Sequence, residues 1–167
     1  MTGKDQYTMF WHTSSPFSQW HPSQFVDGLY TYNTAEQYMM NHKALLFGDL
    51  VTAKEIMAEK DPRKQKALGR KVKNFDEKIW SEKCEEIVKN GNRAKFSQNQ
   101  HLMRALLDPK HHGKEFVETS PYDSLWGIGL TRDDPRAWKK ETWRGQNLLG
   151  KVITELRDEF MQQRIEK

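Results

Sequence analysis

Cysteine is almost absent: Cys84 stands alone among 167 residues, so no disulfide can form within the chain. A single thiol inside a helical pattern reads as a small buried apolar group rather than a nucleophile. Its isolation fits a reducing compartment. Long apolar runs are missing as well. No stretch approaches the roughly 18 consecutive apolar residues that a spanning helix needs. The opening MTGKDQYTMFWH has no apolar run of signal-peptide length. The expectation is a cytosolic or nuclear protein with no membrane partner. Metal-ligand spacing is also lacking. The six histidines, at 12, 21, 42, 101, 111 and 112, form no HxxxH pair and no Cys/His cluster, so no metal is expected. There is no G-x-S-x-G elbow and no P-loop. WGIGL at 126–130 holds a G-x-G with no helix start in register. No cofactor is implied.

Aromatics and charge are what the chain has in quantity. Eight Phe, six Trp and five Tyr argue against disorder, and 30% of residues are charged. The net charge of +4 is a mild bias toward anionic partners such as phosphates, nucleotides or nucleic acid. Lys and Arg are mixed with acids along helices, which is short of an obligate DNA-binding signature.

The most strongly patterned stretch is YTYNTAEQYMMNHKALLFG, residues 30–48. Thr34 sits three residues before Gln37, the spacing of a capping box. Gly48 supplies a C′ position after Phe47. Glu36, Met40, Lys43 and Phe47 share one helix face, which sets a carboxylate and an amine two turns apart, roughly 10 Å along the axis. That spacing straddles a small sugar. It is equally the pattern of rim residues whose stems cover a core.

Before this helix, Tyr7–Trp11 reads as a strand and Asp27-Gly28 as a turn leading into a strand at Leu29–Tyr32. The Pro- and aromatic-rich loop 14–25 is irregular. After the helix, Asp49 caps a second helix through Glu59, and Asp61-Pro62 opens a third to about Arg70. A fourth helix is predicted from Asp76 to Asn90, ended by Asn90-Gly91. A fifth runs over Arg93–Leu107 with a weak break near Ser97. Glu115–Thr119 alternates like a strand. The region Thr131–Trp143 is a charged loop, and a last helix spans about Gln146–Gln162. The fold class is mainly α, α+β with a few short strands, in one domain over residues 1–167 with a core at about 10–160.

Two further places draw attention. Asp123, in SPYDSLWGIGL, is either a turn aspartate bonded to its own backbone or a loop carboxylate flanked by Trp126 and by a ligand-admitting Gly127. The run Trp143-Arg144-Gly145-Gln146-Asn147 precedes a helix. Free N–H groups, a close-approach glycine and an arginine there would suit a phosphate, although an ordinary helix start looks the same.

FSQWHPSQF, DGLYTYNTAEQYMMNHKALLFGD, FDEKIW at 75–80, AKFSQN at 94–99, SPYDSLWGIGL and WRGQNLLGK at 143–151 together resemble the NADAR family (NAD- and ADP-ribose-associated), across about residues 10–160. The resemblance implies a mostly helical fold that hydrolyses an N-glycosidic bond at a ribose C1′. One branch resembles enzymes that remove ADP-ribose from guanine in nucleic acid. Another resembles enzymes acting on phosphorylated ribosylamino-pyrimidine intermediates of riboflavin synthesis. A third possibility is a non-catalytic ADP-ribose or NAD reader. The implied ligand is ADP-ribose or a ribose-phosphate nucleotide, with ADP-ribosylated DNA or RNA as substrate. Carried over by motif, the family's Glu falls on Glu36, its Lys on Lys43, its Trp on Trp80 and its Asp on Asp123. NTAEQYM departs from the family's Ser-Val-Glu-His-Tyr-type run, with Gln37 where a His is usual.

Breaking a C1′–N bond passes through an oxocarbenium-like state that needs a carboxylate nearby and a proton for the departing nitrogen. Glu36 and Asp123 are the expected pair, in either assignment. Lys43 either holds a phosphate or, desolvated, attacks C1′ to form an imine. Trp80 and Trp126 are expected to stack on the base. Phe17 and Ser18 are expected to close over the ribose, and Arg144 with Asn147 and the last helix start to take a phosphate.

Overall fold

The computed structural model describes residues 3–166. The element order is α1 (Gly3–Gln6), β1 (Tyr7–Phe10), β2 (Phe25–Asp27), β3 (Tyr30–Tyr32), α2 (Ala35–Leu46), α3 (Leu50–Ala58), α4 (Pro62–Gly69), α5 (Glu77–Ser97), α6 (Gln100–Leu106), β4 (Glu115–Glu118) and α7 (Leu148–Glu166). Short 3-10 turns lie at Pro109–His111, Pro135–Trp138 and Lys140–Thr142. Helix dominates and the strands are few and short, as the hydrophobic pattern predicts. No helix among the described residues is long and apolar enough to cross a membrane. Contacts divide the chain into two units, residues 19–100 and the residues through 18 together with those from 101 onward.

The 19–100 unit is built around α2, which packs on α3, α4 and α5. Its start is set by the Thr34 hydroxyl, which accepts a hydrogen bond from the Gln37 N–H at 3.0 Å. The reciprocal half of the capping box is displaced by one residue: Gln37 Oε1 accepts from the N–H of Asn33, at 2.8 Å, rather than from that of Thr34. The other end of the Gln37 amide donates to the carbonyls of Ile56 and Glu59, tying the start of α2 to the end of α3. Gly48 follows the C-cap Phe47 with φ +73°, the left-handed conformation that favours glycine. Asp49 and Asp61 cap α3 and α4 as expected. The hairpin pairs Phe25 with Tyr32 across the turn at Gly28, and both rings pack with Tyr38.

Asn90-Gly91 does not end a helix. α5 runs on to Ser97, so the helix expected over Asp76–Asn90 continues into the Arg93–Ser97 start of the next one. Gly91 is there for its missing side chain: a Cβ on it would lie 2.5 Å from Cδ1 of Tyr38. The break does occur after Ser97, before α6.

In the second unit, β1 and β4 pair in parallel, Tyr7 with Glu115 through Phe10 with Glu118. α7 backs β4 so closely that a Cβ at Gly150 would stand 2.1 Å from the Phe116 carbonyl. Leu149, Val152, Ile153, Leu156 and Phe160 are buried and recur at helical spacing, so one face of α7 is core. The helix begins at Leu148, two residues later than expected, because Asn147 adopts φ +53°. The charged stretch 131–143 is partly ordered by Asp134, which caps the second 3-10 turn and pairs with Arg136 at 2.7 Å.

Candidate active site

Glu36 lies in the first turn of α2 and is buried, at 3% exposure, and its N–H donates to the Gln19 carbonyl. Lys43, two turns on, is half-buried, and its Nζ sits 4.6 Å from the centroid of the Phe75 ring and 5.6 Å from that of Trp80. Burial lowers the amine's pKa, the Glu36 carboxylate raises it and the Arg70 guanidinium lowers it, with the net shift downward. Phe47 meets Phe75 edge to face. The shared face predicted for α2 is therefore real, and it brings Glu36, Lys43 and Trp80 into one electrostatic neighbourhood within the 19–100 unit. A buried carboxylate and a desolvated amine flanked by indole and phenyl faces have the chemistry to act on a sugar carbon.

Phe75 and Arg70 escaped notice in the sequence. Phe75 opens the FDEKIW run and is 45% exposed, with no periodicity to single it out. A second feature was equally hidden. Asn92 Nδ2 donates to Gln19 Oε1 at 2.9 Å, while Gln19 Nε2 and Asn92 Oδ1 are buried without partners. A buried unpaired amide group costs about 1–3 kcal/mol, and here a donor and an acceptor are left unspent beside the residue that holds the Glu36 N–H.

Asp123 belongs to the other unit. Its Oδ1 accepts from the N–H groups of Leu125 and Trp126, at 2.9 and 2.8 Å, which is the turn-aspartate geometry. Trp126 is half-buried. Gly127 is tight against protein: a Cβ would approach the Glu118 carbonyl at 3.0 Å and the Asp123 carbonyl at 3.1 Å. Its smallness thus serves backbone packing.

Three expectations change here. The N–H groups of Gln146, Asn147, Leu148 and Leu149 donate to the carbonyls of Ser124, Gly127, Leu125 and Trp126. The N-terminal donors counted on for a phosphate are spent on this loop. Asn147 is not a ligand group either: Oδ1 accepts from Glu118 N–H and Nδ2 donates to the Phe116 carbonyl, so the amide clamps β4. Phe17 is core, packed on Phe10, His111 and Phe116, and does not close over a ribose. Ser18 is buried next to it. Arg144 is exposed, its N–H bonded to the Ile128 carbonyl.

The sequence profile of the NADAR domain matches residues 8–161. The chain belongs to the NADAR family. Its relatives include N-glycosidase R617 of Acanthamoeba polyphaga mimivirus, 48% identical over 151 residues, covering 87% of this chain and 88% of that protein. N-glycosidase YbiA of Escherichia coli K12 is 31% identical over 135 residues, covering 81% of this chain and 74% of YbiA. The NMR structure of E. coli YbiA superimposes with a TM-score of 0.79 at 26% identity, over 98% of this chain and 89% of that one.

Proposed function

We propose that the protein is a hydrolase of N-glycosyl bonds that removes ADP-ribose from guanine bases in nucleic acid. The observation that carries the reading is the buried Glu36 carboxylate sharing a helix face with a Lys43 amine whose pKa burial lowers. Two relatives named as N-glycosidases support the reaction class. In the reaction the C1′–N bond breaks, the nitrogen leaves with a proton, and water supplies the oxygen that ends on C1′. Glu36 stabilises the cationic sugar or orients the water. Lys43 in its neutral form is a nucleophile for the opened sugar, and in its charged form an anchor for phosphate. Trp80 offers the stacking face. Asp123 as acid rests on the family resemblance, with Oδ2 as the oxygen that its own turn leaves unbonded. The choice of nucleic acid as substrate rests on the basic charge balance.

The test is incubation with an ADP-ribosylated guanine oligonucleotide and, in parallel, with the phosphorylated ribosylamino-pyrimidine. Release of ADP-ribose from the first is expected. Release of ribose 5-phosphate from the second alone would move the protein to the riboflavin-intermediate branch. Binding of ADP-ribose with no release from either would make it a reader.

A further inference from the structure

The unit formed by the residues through 18 and from 101 onward contains a cavity of about 840 Å³ that no step above uses. Lys110, Lys114 and Arg132 line it against a single carboxylate, Asp133, with Trp138 as a wall and His111 among the lining groups. That size falls within the roughly 300–1,000 Å³ range of ligand sites. The charge is not accidental surface lysine paired off elsewhere. Lys114 and Arg132 make no salt bridge among the described residues, and Lys110 has a loose one at 3.9 Å to Asp108. His111 adds a polar group held by geometry, its Nδ1 3.0 Å from the Thr8 hydroxyl, and Arg157 grips the backbone beneath by donating to the carbonyls of His111 and Lys114. The Trp138 ring is fixed by its N–H, which donates to the Arg132 carbonyl. A basic, preformed cavity with a fixed indole suits a phosphate-bearing aromatic ligand.

The form of the charge narrows the ligand. A lone terminal phosphate is cradled by converging backbone N–H groups. Here the N–H groups of His111, His112 and Lys114 are spent on the carbonyls of Asp108, Pro109 and His111. What remains is side-chain cations on two separate segments, at 110–114 and at 132, which suits a repeating phosphodiester. We propose that this cavity grips the sugar–phosphate backbone of a single nucleic-acid strand, with Trp138 as a stacking face. This role rests on the reading of the substrate as a modified base in nucleic acid.

The experiment is fluorescence anisotropy of an unmodified single-stranded oligonucleotide of roughly a dozen nucleotides, titrated with the full chain at several salt concentrations. The variant Lys114→Gln/Arg132→Gln is expected to weaken binding about tenfold and to reduce the slope of log K against log salt by about 1.4, the loss of two single-strand phosphate contacts. Asp133→Asn is expected to tighten binding. On a modified strand KM rises in the double variant while kcat holds. Unchanged affinity and slope in the double variant would overturn the proposal, as would an equal loss of affinity for free ADP-ribose. If the double variant fails to melt cooperatively, the exposed Arg132→Gln alone should remove about half the slope change. The two readings fail separately. Strand binding lost in the variant, with no ADP-ribose released by the parent, removes the glycosidase reading and keeps the cavity. Release with an unaltered KM removes the cavity and keeps the glycosidase.

Discussion

Lys43 is set by burial and by two charged neighbours, and each neighbour can be removed singly. Burial holds its pKa down, Glu36 pulls it up and Arg70 pushes it down. Glu36→Gln should therefore lower the Lys43 pKa further and Arg70→Gln should raise it toward the value of a free lysine. Lysine-selective 13C reductive methylation followed by NMR titration reads this directly, without any need for turnover. Opposite directions in the two variants are expected, and equal shifts would mean that neither group reaches the amine. For catalysis, Glu36→Gln should lower turnover by roughly a hundredfold or more with the melting transition kept. Asp123→Asn is expected to do the same, with a milder effect if the residue serves mainly its own turn.

At the scale of the elements, Tyr38 of α2 fits closely against α5 at Gly91. Gly91→Ala places a methyl group 2.5 Å from the Tyr38 ring, and should cost about 1–3 kcal/mol through overpacking even though alanine is the better helix former. A raised melting temperature would show that the ring yields freely. Gln37→Ala should cost about 0.5–1.5 kcal/mol by removing the amide that ties the start of α2 to the end of α3, while the Ile56 and Glu59 carbonyls keep the Glu59 N–H and Gln65 Nε2 as donors. Both measurements need thermal or denaturant melts of an otherwise unaltered chain. These two residues also mark what a linear pattern can reveal. Caps at Thr34, Asp49 and Asp61 are local, so the sequence shows them. Asn-Gly is a stop signal by local rules, and at Gly91 a tertiary contact overrides it because nothing local records the ring that arrives from α2. The same holds for Asn147: its position before a helix suggests a cap, while its partners lie on β4, about thirty residues back in the chain. Glu36, Lys43 and Trp80 were legible because a helical repeat and a motif mark them. Phe75 and Arg70 were not, since their place beside Lys43 comes from how α4 and α5 meet α2.

For the molecule as a whole, two kinds of buried titratable group give stability a maximum in pH. Lys95 is fully enclosed, and burial pushes its amine down to about 7. From about pH 7 to about pH 10 the unfolded chain binds a proton that the folded chain has shed, so stability should rise with pH there. Tyr32 has the opposite effect. Burial pushes its phenol up to about 12, and Tyr38 is raised as well, so above about pH 10 the unfolded chain loses protons that the folded chain keeps, and stability should fall. Melting temperatures across this range should climb and then drop. Lys95→Met should flatten the climb and leave the drop in place, and an unchanged climb would assign it to other groups.

The pairing of β1 with β4 joins segments more than a hundred residues apart in the chain, Tyr7 with Glu115 and Phe10 with Glu118. As the chain leaves the ribosome, its first strand emerges long before its mate, while residues 19–100 have every contact of their own unit already in hand. Closing so long a loop is slow and late. The nascent chain should therefore carry the bare edge of Tyr7–Phe10 until Glu115–Glu118 has emerged, an unpaired strand edge exposed to aggregation during synthesis.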